Sequence, residues 1–174
     1  MMRLFIAINF NDEIKDALCE TAAELKAAAR RGRVVRRENL HLTLAFIGES
    51  NRVDDILDVM EESFTEPVRI SLNGAGAFKG RNGDLHWVGV ENTPELRNLA
   101  GRISGGLREA GFEIEKKRFV PHITIGREIV LSDTADIRIQ MASMEADEIF
   151  LMRSDRIDGR LVYSEVGSVL NSGR

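Results

Sequence analysis

One short pattern, a histidine, any residue, a threonine and an aliphatic residue, is written twice in this chain: His41-Leu42-Thr43-Leu44 and His122-Ile123-Thr124-Ile125. Together the two copies use two of the three histidines. Side chains alternate faces along an extended strand, so each His and Thr share a face about 7 Å apart while Leu42, Leu44, Ile123 and Ile125 take the other. Each segment is thus expected to be a half-buried strand that offers an imidazole and a hydroxyl to one side. The histidines lie 81 residues apart, and that offset lays Leu4 on Leu85, Ile6 on Trp87, Asn11 on Asn92 and Leu18 on Leu99 without a gap. Both halves then read as strand, amphipathic helix and His-x-Thr strand, the trace of an internal duplication. The expectation is two related lobes facing each other, with the histidines brought together.

A lone His-x-Thr strand is more often decoration than a site; two copies set in a repeat are not. Imidazole is the side chain best suited to move protons near neutral pH, and two of them at one reacting centre can serve as acid and base in one step. That pairing points to phosphate-ester chemistry.

With 174 residues, 43% of them hydrophobic, the chain can bury a real core, and residues 1–174 are read as a single two-lobed domain. No 18-residue apolar run occurs, and Met1-Met2-Arg3 leads into a short apolar strand without the features of a signal peptide, so a soluble cytoplasmic protein with no membrane partner is expected. Cys19, the single cysteine, has no partner for a disulfide or a Cys-rich metal site and reads as packing. A net charge of −4 argues against a general nucleic-acid coat. Local charge is different: Arg30, Arg31, Arg33, Arg36 and Arg37 precede the first motif, and Lys116, Lys117 and Arg118 precede the second. Cations beside helix ends have a plain explanation in the helix dipole, but their placement before both histidine strands suggests a basic cleft for a small anionic end group.

The apolar run from Arg3 to Phe10 predicts a strand. A helix capped by Asn11 or Asp12 should reach about Arg31, with Gly32 as its stop. A second helix carries Val53, Ile56, Leu57, Met60 and Phe64 on one face, before Pro67. Val68 to Phe78 and Asp84 to Val90 read as strands across the turn Gly80-Arg81-Asn82-Gly83. Thr93-Pro94 starts a third helix, which Gly111 ends; Gly101, Gly105 and Gly106 imply either close packing or an early break. Met144 to Arg153 and Leu161 to Val169 read as two last strands, joined at Asp158-Gly159.

In their settings, RVVRRENLHLTLAFIGE and RFVPHITIGRE, the two motifs resemble the two-histidine (2H) phosphoesterases, and within them the bacterial and archaeal RNA 2′,3′-cyclic phosphodiesterases of the 2′-5′ RNA ligase family. Asn39-Leu40, Phe46, Gly48, Pro121 and Arg127 match the family's habit. Val34 and Arg37 stand where the family often has Trp and Pro, and Ala45 replaces a frequent Lys. The resemblance implies an α+β fold of two lobes, with two antiparallel sheets lining a central cleft, helices outside, and a pseudo-two-fold internal repeat.

It also implies metal-independent hydrolysis of a terminal RNA 2′,3′-cyclic phosphate to a 2′-phosphomonoester; no cofactor is expected, and a monomer is the expected state. His122 would be the proton acceptor, His41 the proton donor, and Thr43 and Thr124 the phosphate donors. Such a reaction needs a base for water, an acid for the leaving ribose oxygen and donors for the phosphoryl oxygens. Arg127 and Phe46 each lie five residues after a histidine, so in an unbroken strand they would face away from it. Arg127 is then a surface ion pair, or reaches phosphate if a bulge intervenes. Phe46 is expected in the core first, with a base-stacking platform as its other reading. His86 reads as a non-catalytic strand histidine and Trp87 as core. The competing functions are another 2H activity, such as cleavage or ligation of 2′-5′ linkages or hydrolysis of a small cyclic nucleotide, and a nucleotide-binding module without turnover. A zinc or manganese hydrolase would need further ligands that neither motif supplies.

Overall fold

The computed structural model describes residues 1–132 and 137–171. Among these residues nine strands and three α-helices follow in the order β1 (Met2–Asn9), α1 (Asp12–Ala28), β2 (Ala29–Val34), β3 (His41–Ser50), α2 (Val53–Ser63), β4 (Val68–Phe78), β5 (Asp84–Val90), α3 (Pro94–Glu109), β6 (His122–Leu131), β7 (Ser143–Ala146), β8 (Glu148–Ile157) and β9 (Arg160–Leu170). A single 3₁₀ turn, Arg37–Asn39, leads into β3. The strands form two antiparallel sheets, ordered β3-β1-β8-β9 and β2-β6-β5-β4-β7. No described helix is long and apolar enough to cross a membrane.

The duplication is visible in the pairing. β1 runs beside β3 and β5 beside β6, so each sheet seats its His-x-Thr strand next to the first strand of its own half. Asn11 caps α1 by accepting from the Ile14 amide, and Thr93 caps α3 by accepting from the Leu96 amide, each satisfying one of the first-turn donors that a helix leaves open. Thr93, rather than Asn92, is therefore the counterpart of Asn11. Leu4, Ile6 and Ile8 of β1, Leu42 and Leu44 of β3, Val88 and Val90 of β5, and Ile123 and Ile125 of β6 join the buried stripes of all three helices in one continuous core. Because one face of every central strand is committed to that core, the other is free to line a cleft.

Two boundaries differ from the expected ones, and an open question about α3 is answered. The first helix stops at Ala28, and the arginine-rich stretch to Val34 is an edge strand paired with β6. Alanine and arginine favour helix; the ladder to β6 overrides that preference. The segment from Met144 to Arg153 is not one strand. It breaks at Asp147, with β7 pairing β4 in one sheet and β8 pairing β1 and β9 in the other. α3 runs unbroken through its glycines, and at Gly106 a Cβ would stand 2.8 Å from Val59 Cγ1, so close packing against α2 accounts for that one. Around Gly101 and Gly105 the space is open.

Candidate active site

His41 opens β3 and His122 opens β6, each just after a turn of non-strand chain. The two rings are held alike. His41 Nδ1 lies 2.7 Å from the Asn39 carbonyl and His122 Nδ1 lies 2.7 Å from the Val120 carbonyl, two residues back in each case. A carbonyl can only accept, so each Nδ1 carries a proton and donates it, and each Nε2 is left to face the cleft. In the first lobe Nε2 is 3.0 Å from Thr43 Oγ1. β3 and β6 lie in contact across the two sheets, and the charges of His122 and Arg127 both act on His41. The structure thus brings the two imidazoles, each with a threonine two residues on, to strands of the two sheets that touch.

Aromatic side chains wall each imidazole. Phe5 and Tyr163 flank His41 with ring centroids 5.0 Å away, Tyr163 at 90° to it. Phe78 meets His122 edge-on at 5.4 Å, and Trp87 lies 6.2 Å from it and 5.6 Å from Phe78. Burial lowers the pKa of His41 below the usual imidazole value of 6.5, and the positive charge of Arg127 and the neighbouring His122 push it the same way. The hydrogen bond to Asn39 opposes them, since donation to a carbonyl favours the charged ring.

The positions after the motifs are re-aimed by β-bulges. Thr43 pairs with Ala7 but Ala45 with Ile6, leaving Leu44 as an extra residue in β3. Thr124 pairs with Trp87 but Gly126 with His86, leaving Ile125 as the extra residue in β6. The two bulges stand at equivalent positions of the repeat. Each inverts the alternation, so the fifth residue after the histidine returns to the histidine's face. Phe46 accordingly pairs with Phe5, their rings 6.1 Å apart, and stands 66% exposed. It is not a core residue, because the bulge moves it off the core face. Arg127 likewise comes to the face of His122 and Thr124.

Trp87 is also not core. Its partner across the ladder is Thr124, which puts its ring on the cleft side, half-buried over Gly76, where a Cβ would sit 2.3 Å from the ring. By strand partner the counterpart of Trp87 is Ala7, which faces Thr43, and not Ile6, which faces the core. The gap-free alignment is one residue out in the first strands. His86 pairs with Gly126 and so lies on the opposite face from Trp87, away from the cleft, as a non-catalytic strand histidine would.

The basic approach to the first motif is divided. Arg37 is held by Asp16 at 2.6 Å and Asp12 at 3.2 Å on α1, and lies 3.9 Å from Cys19 Sγ, so it clamps the helix and does not line the cleft. Arg30 donates to the Ser132 carbonyl. Arg31 and Arg33 line a groove of ≈420 Å³ beyond Arg127. In the second cluster Lys117 pairs with Glu115 at 3.0 Å. Sequence reasoning missed Phe5, Phe78 and Tyr163 as site walls. Tyr163 is the single tyrosine, but nothing near it in the chain marks it as a neighbour of His41.

Known proteins resemble this chain in sequence and fold. The model of the 2′-5′ RNA ligase superfamily matches residues 14–158. An RNA 2′,3′-cyclic phosphodiesterase of Thermotoga maritima is 38% identical over 133 residues, covering 72% of this chain and 70% of its own. One of Archaeoglobus fulgidus is 34% identical over 72% of each chain. Among solved structures, a protein of Thermus thermophilus superposes with a TM-score of 0.87 at 26% identity over 99% of both chains. The E. coli LigT structure complexed with 3′-AMP superposes with a TM-score of 0.84, at 26% identity over 98% of both.

Proposed function

This chain belongs to the 2′-5′ RNA ligase superfamily, and from that membership and its two-histidine cleft we infer that it is an RNA 2′,3′-cyclic phosphodiesterase, an enzyme of RNA end processing. The observation that carries the reading is the matched pair of imidazoles, each fixed by a backbone carbonyl with Nε2 turned to the cleft. His122 takes a proton from water as its oxygen attacks phosphorus. The P–O3′ bond breaks and His41 delivers a proton to the departing O3′, leaving a 2′-phosphomonoester. Thr43 and Thr124 donate to the non-bridging oxygens, and Arg127 balances the charge that collects on them.

The lowered pKa of His41 favours a neutral ring in the free protein, whereas a proton donor must start charged. The negative phosphodiester supplies what is missing: bound beside His41, it favours the charged form of that ring. Phe46, exposed beside Phe5, offers the terminal base a stacking face. Both halves of the site come from one chain, so a monomer suffices.

The test is an oligoribonucleotide ending in a 2′,3′-cyclic phosphate, incubated with the protein in the presence of chelator and followed by phosphorus NMR. A 2′-phosphate as sole product is expected. A 3′-phosphate would reverse the roles of the two histidines. No turnover would leave a nucleotide-binding module.

A further inference from the structure

Beyond Arg127 the backbone takes an unusual conformation, where both ladders of β6 shift register. Glu128 has φ +54, one of only two non-glycine residues with positive φ among those described. It is enclosed by two glycines that also lie at positive φ, Gly32 of β2 (+117) and Gly83 of the β4–β5 turn (+135). A Cβ on Gly32 would stand 2.6 Å from the Glu128 carbonyl oxygen, and one on Gly83 would stand 2.4 Å from the Glu128 carbonyl carbon. Three positive-φ positions on three elements thus meet at one point, where the chain packs too closely for a side chain on either glycine. Beside that point lies the groove of ≈420 Å³, lined by Arg31, Gly32, Arg33, Asn82 and Glu128.

The register of the edge strand places this groove. Arg33 is the ladder partner of Arg127, and directly opposed residues project from the same face. Arg33 therefore stands beside Arg127 on the cleft side, about 5 Å away at its Cα. Arg31 pairs with Val130 further along the same edge, and its guanidinium reaches over to the Asn82 carbonyl at 3.2 Å. Arg33 is paired with Glu128 at 2.9 Å, but both side chains are more than half exposed, so an arriving anion can exchange for the carboxylate at little cost. The groove carries two guanidinium groups against one carboxylate.

We propose that this groove holds the internucleotide phosphate next along the RNA from the cyclic end, so that the protein prefers the end of a chain to a free cyclic mononucleotide. The proposal rests on the reading of the cleft as a cyclic phosphodiesterase and adds a second phosphate subsite to it. An arginine edge of this kind recognises a polyanionic strand without reading its bases.

The test compares kcat/KM for uridine 2′,3′-cyclic phosphate with that for the dinucleotide UpU ending in the same cyclic phosphate. The expected ratio is about ten or more in favour of the dinucleotide, the effect of one charge-assisted contact. The salt slope of the dinucleotide should be steeper by about 0.7. In Arg31→Gln/Arg33→Gln the ratio falls towards one. In Glu128→Gln it rises, because the competing carboxylate is gone; a purely structural Arg33–Glu128 pair would instead move both variants in the same direction. A methylphosphonate in place of the internucleotide phosphate should make the dinucleotide behave like the mononucleotide. A wild-type ratio near one, equal losses on both substrates in the arginine variant, or a methylphosphonate as good as the phosphate would each overturn the subsite. The same ratio measured as affinity by titration calorimetry judges the groove even if neither end is turned over, an outcome that would remove the activity and not the groove.

Discussion

Replacing Arg127 with Gln separates the two fates that its sequence position allows. On an unbroken strand it faces solvent, and its loss changes turnover by less than about two-fold, as for any surface cation. On the observed strand the extra residue Ile125 turns it to the face of His122 and Thr124, with no carboxylate opposite it in the ladder among the described residues. There it can make a charge-assisted bond to phosphate, which is worth about 1.5–3 kcal/mol, or roughly 10- to 150-fold in kcat/KM. A second readout is independent of rate. Arg127 is one of the charges that lower the His41 pKa, so in Arg127→Gln that pKa should rise, and His41 should keep its proton to higher pH. Nitrogen-detected NMR of the imidazoles, titrated in wild type and variant, measures the shift directly. A His41 titration that does not move, together with a rate within about two-fold of wild type, would refute the placement of Arg127 in the cleft.

His41→Ala and His122→Ala should each cut turnover by at least about 100-fold, the scale of a lost general acid or base, with circular dichroism unchanged. Phe46→Ala should raise KM for a cyclic end by roughly five-fold or more if a base stacks there, while the urea midpoint stays put because the ring is already exposed. Stability should fall as pH drops below about 6.5: His41 is held neutral in the fold, so the unfolded chain binds a proton that the folded chain refuses, and the stabilisation is complete only above the ordinary imidazole value. His41→Gln should flatten that slope in urea titrations between about pH 5 and 7, and an unchanged slope would show that its burial costs nothing. Thr43→Val and Thr124→Val should each slow the reaction less than the histidine changes, since each removes one donor from a set; full wild-type rate in the double variant would show that neither hydroxyl touches phosphate.

Much of the frame was legible because it is set locally. Helix caps at Asn11 and Thr93, the hairpin over Gly80-Arg81-Asn82-Gly83 and the turn at Asp158-Gly159 all follow from short-range chemistry, and the strands flanking the hairpin have the expected bounds. The histidines and threonines were legible because the repeat singles them out. What stayed hidden is set by pairing. Ala29–Val34 has a helical composition and becomes a strand only because β6 offers an edge. Phe46 and Arg127 could not be placed because strand parity depends on bulges, and a bulge shows only in the register against a neighbour. Tyr163 reaches His41 through a strand order in which β9 is the fourth member of a sheet that begins with β3.

On the proposed reading, the repeated bulge also gives a duplicated site the means to hold an asymmetric substrate. Position five after the histidine is delivered to the cleft in both lobes by the same device, Leu44 in one and Ile125 in the other. One lobe places Phe there and the other Arg. A phenyl face suits a base and a guanidinium suits a phosphate, so the pair gives the cleft a direction that the matched His-x-Thr strands lack. In-line displacement puts the attacking water and the leaving oxygen on opposite sides of phosphorus, so whichever histidine lies nearer the ribose must be the one that protonates it. Phe46 sits in the same strand as His41, and a base held there draws the ribose towards the first lobe. On the proposed reading, His41 as proton donor to the departing ribose oxygen is the role that fits the lobe carrying the aromatic ring, although the His-x-Thr residues are alike in both.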